Sequence, residues 1–217
     1  MASQIIYGRQ PVAEAERGRR RVHRVWRAPE TDPAELERLC GSPDHQGVVA
    51  EVDPYPYGDA AGLLRRDDAL LVALDQVQDP RNLGAVCRSA EVAGAAGLVV
   101  PERRAAAVTA AACKASAGAV EHLEIAHVRN LADWLEAAKE AGFWIWGADA
   151  GGDAVPWGVD LTGPTVLVLG GEGKGLRPRV AAACDGLVAL PQRGQIDSLN
   201  VSAAATALLF EALRQRS

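Results

Sequence analysis

No uninterrupted apolar stretch in these 217 residues approaches the roughly 20 that a helix needs to cross a bilayer. The opening Met1-Ala2-Ser3-Gln4 has neither the basic nor the apolar section of a secretory leader. Cysteine is sparse: there are four, none in a Cys-x-x-Cys pair, which argues against a disulfide framework and against a structural zinc ribbon. Lysine is sparser still, three residues against 20 arginines. These absences predict a soluble, reduced, cytoplasmic protein. What is present is ordinary globular material, 48% hydrophobic and 24% charged. A mass of 22.8 kDa allows one large domain, or a small one joined to a medium one.

The net charge of −5 conceals an asymmetry. Residues 1–30 sum to +4 and the remainder to −9. A basic head on an acidic body is the distribution expected when one end meets a polyanion, and Arg17, Arg19, Arg20, Arg21 and Arg24 are the candidate contacts. A merely solvated arm would look the same on charge alone.

Up to about residue 54 the pattern is that of a small α/β unit. Ile5-Ile6 starts it, Asp32 is a plausible N-cap with Pro33 at the first helical position, and Gly47 to Val52 reads as a strand. Pro54, Pro56 and Gly58 then forbid regular structure, so a linker is placed at 55–66. From residue 67 strands alternate with helices. Strands are predicted at 69–74, 97–100, 123–127, 143–146, 165–169 and 187–190. Helices are predicted at 82–93, 105–116, 130–140 and about 201–215. Continuous apolar strands with helical crossovers mean a parallel sheet covered on both faces. The domains expected are therefore 1–54 and 67–217, the fold class α/β.

Ligands of open parallel sheets sit in loops leaving the carboxyl ends of strands. Three such loops stand out: Asp79 to Ala90, Gly170 to Leu176, and Pro191 to Asn200. The familiar nucleotide motifs do not fit them. No G-x-G-x-x-G follows the first strand, and Gly170 to Gly175 is followed by Leu176-Arg177 rather than by the Lys-Ser/Thr of a P-loop. No G-x-S-x-G elbow is present, and His122 and His127 lack metal-ligand spacing, so no metal site is predicted. Glycines at 170, 171, 173 and 175 would let main-chain groups approach a ligand, such as an adenine or an amino-acid moiety. Arg88 lies six residues after Asn82, nearly two helical turns on. Ser198 and Asn200 sit at the mouth of the last helix, where simple capping is the competing explanation, as it is for Asn82.

Taken in order, Asn82-Leu83-Gly84-Ala85-Val86-Cys87-Arg88-Ser89-Ala90, Gly170-Gly171-Glu172-Gly173-Lys174-Gly175-Leu176 and Ser198-Leu199-Asn200-Val201-Ser202 resemble the SpoU/TrmH-like RNA 2′-O-ribose methyltransferases of the SPOUT superfamily. Lys114 to His122 is similar to the RlmB-like branch that modifies a guanosine in 23S ribosomal RNA. Ile6-Tyr7-Gly8 and His45-Gln46-Gly47 resemble that branch's ribosomal-protein-like RNA-binding domain, here shortened. Where the family usually has Pro-Met-x-Gly, this chain has Pro191-Gln192-Arg193-Gly194.

The resemblance implies a trefoil-knotted methyltransferase domain and a homodimer packed through the knot. It implies S-adenosylmethionine held at Gly170, Leu190 and Leu199, and a catalytic neighbourhood of Asn82, Arg88, Glu172, Ser198 and Asn200. RNA, with 23S ribosomal RNA foremost, is the implied partner, and neither a metal nor a membrane is called for. A transfer-RNA ribose methyltransferase and a non-catalytic RNA-binding or ribosome-assembly protein are the alternatives.

Overall fold

The computed structural model describes residues 3–171, 175–195 and 198–217. The elements in the first part of the chain are β1 (Gln4–Tyr7), α1 (Arg9–Arg17), β2 (Val22–Arg27), α2 (Pro33–Cys40), β3 (Val48–Val52) and α3 (Ala60–Leu63). Then come β4 (Leu70–Asp75), α4 (Pro80–Val92), β5 (Gly97–Pro101), α5 (Ala110–Ala115), β6 (Ile125–Val128), α6 (Leu131–Glu140) and β7 (Trp144–Ala148). The chain closes with β8 (Thr165–Gly170), α7 (Pro178–Ala182), β9 (Gly186–Val188) and α8 (Val201–Arg216). They pack as two units. One takes the chain up to Pro56 with Pro80–Arg88 and Ala107–His122; the other takes Tyr57–Asp79, Ser89–Ala106 and everything from Leu123.

The first unit is built on an antiparallel sheet ordered β1-β3-β2. β3 is central because it can be: Val48, Val49, Ala50 and Val52 are all buried. The expected cap is observed, the Asp32 carboxylate accepting from the Ala34 N–H at 2.8 Å with Pro33 behind it. α1 and β2 had no signal strong enough to predict. β2 is an edge strand with no buried residue, three of its six being exposed, so it lacks the apolar alternation that would reveal it. α5 is shorter than the predicted 105–116, because Thr109 caps it and the residues before it bond elsewhere, Ala106 N–H donating to the Val77 carbonyl. The front of α4 packs closely on α5: a Cβ at Gly84 would strike the Ala112 carbonyl oxygen and lie 2.8 Å from Ala115 Cβ.

One expectation about this unit is corrected. Arg20 does not belong to a solvated basic arm; its side chain is fully buried and ion-paired with the equally buried Glu121. Its Nε donates to Glu121 Oε2 at 2.9 Å, Nη1 to Gln4 Oε1 at 2.7 Å and Nη2 to Cys113 Sγ at 3.3 Å. A guanidinium spent on that many internal acceptors is not offered to RNA. Arg17, Arg19, Arg21 and Arg24 are exposed, Arg17 against Glu14 and Arg19 donating to the Tyr55 hydroxyl at 3.0 Å.

The second unit carries the predicted parallel sheet, ordered β6-β5-β4-β8-β7-β9. Every residue of β4 and β5 is buried, as two-sided burial requires. β8 pairs with β4 from Leu70↔Thr165 to Asp75↔Gly170 and with β7 on its other side. The last strand is Gly186–Val188 rather than 187–190. Asn130 caps α6 as predicted, accepting from the Ala132 N–H at 3.1 Å. On α8 the buried face is Val201, Ala205, Leu208, Leu209 and Ala212. Its other end is held by Gln215 and Arg216, which bond to the backbone of residues 156–163. Within the segment expected as a linker, Asp59 caps α3 and Leu63 is fully buried.

Candidate active site

Four segments of the second unit converge at the carboxyl ends of its strands. β7 delivers Ala148 and Asp149, β8 delivers Leu169, Gly170 and Gly171, and β9 leads through Val188 to Leu190 and Gln192. The approach to α8 adds Ser198 and Leu199. Together they line a cavity of about 420 Å³, within the range of small-molecule sites. All three residues expected to hold the cofactor, Gly170, Leu190 and Leu199, lie in it, as does Ser198. Its walls are mostly aliphatic and backbone, and among the described lining residues Asp149 is the charged one.

The glycines are there for close approach. A Cβ on Gly170 would run into the backbone of Gly175, and one on Gly171 would lie 2.6 Å from the Gln76 carbonyl oxygen. The chain on either side of residues 172–174 thus meets, and Gly171 lies against the end of β4. The returning chain is fastened by a carboxylate. Asp75, fully buried at the end of β4, accepts from the Arg177 N–H at 2.8 Å and from Arg177 Nε at 2.7 Å. Neither residue was singled out from sequence. The available signal was a lone carboxylate closing the apolar run Leu70 to Leu74, where ligand loops of parallel sheets begin.

The expected catalytic residues divide. Glu172 lies outside the described residues. Asn82 is half-buried in the first turn of α4, inside the helix rather than at its cap. Arg88 is exposed on the same helix, and its side chain makes no ion pair or hydrogen bond among the described residues. Both belong to the first unit, whereas the cavity is built from the second. One residue on, Ser89 shares a 2.6 Å hydrogen bond with Thr206 of α8. Asn200 is the N-cap of α8: its Oδ1 accepts from the Ser202 N–H at 2.8 Å and from the Ser202 hydroxyl at 2.6 Å. The capping explanation therefore holds for Asn200. The two histidines have ordinary partners, His122 pairing with Glu14 at 2.9 Å and His127 stacking on Tyr57 at 3.8 Å. Among the described residues, no three His, Cys, Asp or Glu side chains are grouped to hold a metal, and no helix is long and apolar enough to cross a membrane.

Burial pushes the Cys113 thiol up to about 11 and the Cys184 thiol to about 12, and raises that of Cys87 further. These thiols are packing groups, not nucleophiles.

A parallel α/β sheet with a backbone-lined cavity at its strand ends defines a ligand-binding α/β protein of open-sheet type. Residues 69–210 match the SpoU rRNA Methylase family, and residues 27–58 match the RNA 2′-O ribose methyltransferase substrate binding domain. The chain belongs to the SpoU rRNA Methylase family. It is 36% identical to the uncharacterized tRNA/rRNA methyltransferase slr0955 of Synechocystis, over 99% of this chain and 63% of that protein. An uncharacterized tRNA/rRNA methyltransferase of Mycolicibacterium smegmatis is 45% identical, over 88% of this chain and 62% of its own length. This chain thus spans less than two thirds of either relative. It spans 96% of YacO of Bacillus subtilis, assigned to the TrmH family, at 34% identity over 98% of this chain. Among solved structures, the SpoU methyltransferase AviRb from Streptomyces viridochromogenes in complex with AdoMet superposes with a TM-score of 0.84. It is 30% identical, covering 99% of this chain and 90% of that one. An AdoMet-bound rRNA methyltransferase from Sinorhizobium meliloti gives 0.86 at 25% identity, covering 98% and 87%.

Proposed function

We propose that this protein transfers a methyl group from S-adenosylmethionine to a ribose 2′-hydroxyl of RNA, with a guanosine of 23S ribosomal RNA the expected target. The observation that carries the reading is the convergence of Gly170, at the end of β8, with Leu190, Ser198 and Leu199, from the connection between β9 and α8, on one cavity. The residues suit the cofactor: aliphatic walls for a purine, exposed backbone for its polar edge, and glycines at 170 and 171 where any side chain would collide. Ribosomal RNA is favoured over transfer RNA by the resemblance of Lys114 to His122, and the substrate-binding match at 27–58 supports an RNA substrate of either kind.

When bound, S-adenosylmethionine supplies a methyl group already activated as a sulfonium, so the reaction needs alignment and removal of one proton rather than a metal. The residues of the site would align the ribose 2′-hydroxyl with that methyl, so that the carbon–oxygen bond would form as the carbon–sulfur bond breaks, the hydroxyl proton passing to water. Arg88, exposed and unpaired among the described residues, is the candidate to hold the adjacent phosphate and stabilise the developing alkoxide. A guanidinium with a pKa above about 12 does this without giving up its own proton. Asn82, Glu172 and Ser198 would orient ribose and loops, while Asn200 secures the mouth of α8 as its cap. Proximity and orientation alone can contribute several kcal/mol. The reading includes a cytoplasmic homodimer with a knotted catalytic domain.

The test is methyl transfer to ribosomal and transfer RNA from cells lacking the protein, followed by mapping of alkali-resistant 2′-O-methyl sites. Label in a base rather than a ribose would overturn the reading. Arg88→Ala is expected to lower turnover about 10²–10³-fold while S-adenosylhomocysteine binds as before. Near-normal turnover would remove Arg88 from the chemistry.

A further inference from the structure

Asp149 is a carboxylate in a cavity otherwise lined by aliphatic side chains, glycines, Gln192 and Ser198. It follows directly on β7, so its position is set by the sheet. Its N–H donates to the Val188 carbonyl at 3.1 Å and its own carbonyl accepts from the Gly152 N–H at 3.0 Å. Side-chain Oδ1 accepts from the Gly151 N–H at 2.8 Å, a local turn that fixes the plane of the carboxylate. Oδ2 has no hydrogen bond or ion pair among the described residues. It faces Gly175, where a Cβ would lie 3.3 Å away, tighter than ordinary contact. Gly175 has φ +60, a conformation other residues adopt at a cost. Glycine there adds no side chain over the second carboxylate oxygen.

A carboxylate with one oxygen engaged in a local turn and the other without a partner among the described residues is arranged to receive donors. The structure assigns Asp149 as the group that holds the vicinal hydroxyls of the cofactor's ribose. The inference rests on the S-adenosylmethionine reading above and names a specificity residue within it. Aliphatic walls suit the purine, and the ribose is joined to it directly. The ammonium of the methionyl end is strongly hydrated, so it gains least from a site with apolar surroundings. Of the donors on the molecule, the diol is therefore the one expected beside Asp149.

The test is calorimetric titration of the full chain with S-adenosylhomocysteine and with 5′-methylthioadenosine, which keeps the ribose and lacks the amino acid. Asp149→Asn retains an oxygen for the Gly151 turn and replaces the other with a donor. It is expected to weaken both ligands about tenfold or more, with thermal unfolding unchanged. Asp149→Ser, whose hydroxyl can also accept from Gly151, is the second variant should the first fold poorly, and the same loss is expected. In methylation assays the loss should appear in KM for S-adenosylmethionine more than in kcat. A loss confined to S-adenosylhomocysteine would give the carboxylate to the ammonium and overturn the assignment, as would unchanged affinity for both. Failure of the wild-type protein to bind either ligand would instead overturn the cofactor reading itself.

Discussion

The two units solve burial in opposite ways. The second covers an apolar parallel sheet on both faces, and its central strands β5, β4 and β8 hold almost nothing but aliphatic residues until Asp75. The first has only three strands, exposes β2 along one edge, and carries a buried ion pair, Arg20 with Glu121. A small sheet buries too little apolar surface to be wasteful with it, yet this one sequesters two charges. Such a pair seldom adds stability over an apolar equivalent, but it tolerates no loss of one partner. Charge in the first unit is therefore of two kinds: an exposed set, Arg17, Arg19, Arg21 and Arg24, and an internal pair that fixes residues 107–122 against the chain's beginning. In the second unit the corresponding buried charge, Asp75, closes a ligand loop instead.

The comparison breaks most visibly at Arg20. Arg20→Met should cost about 3–5 kcal/mol in urea denaturation, because Glu121 is left charged and unpaired. Arg20→Met with Glu121→Leu should recover most of it, and a double variant as unstable as the single would refute the account. A smaller effect is expected at the other buried carboxylate. Asp75→Ala strands the Arg177 N–H, with an expected loss of about 1.5–3 kcal/mol and faster proteolysis within 170–178. Equal proteolysis of variant and wild type there would detach Asp75 from the loop. The mildest change sharpens the division among the arginines. Replacing Arg17, Arg19, Arg21 and Arg24 one at a time by Ala should leave the fold intact and flatten the salt dependence of RNA binding. Each lost phosphate contact removes about 0.7 from the slope of log K against log salt. An unaltered slope would move the RNA surface elsewhere.

Legibility from sequence followed the same division. The apolar runs at 70–75 and 165–170 declared themselves as two-sided strands, and Asp32 and Asn130 declared their helices through capping. β2 was hidden, because an edge strand bearing His23, Arg24 and Arg27 has no period to read. The loops that meet at the cavity were identifiable as glycine-rich or polar segments after strands, and Gly170, Leu190, Ser198 and Leu199 do line it. Asp149 was passed over because a single Asp in Gly147-Ala148-Asp149-Ala150-Gly151 has the composition of any turn.

Local order, in short, was written in the chain: which stretches are buried on two sides, where helices begin, and where loops leave strands all follow from the period and chemistry of neighbouring residues. Pairings across distance were not. Arg20 and Glu121 are 101 residues apart and Asp75 and Arg177 are 102 apart. Whether such a charge points into solvent or finds its counterpart depends on which segments the packed core brings together. Desolvation then makes that choice binding, since a buried ion without its partner costs more than the fold can spare.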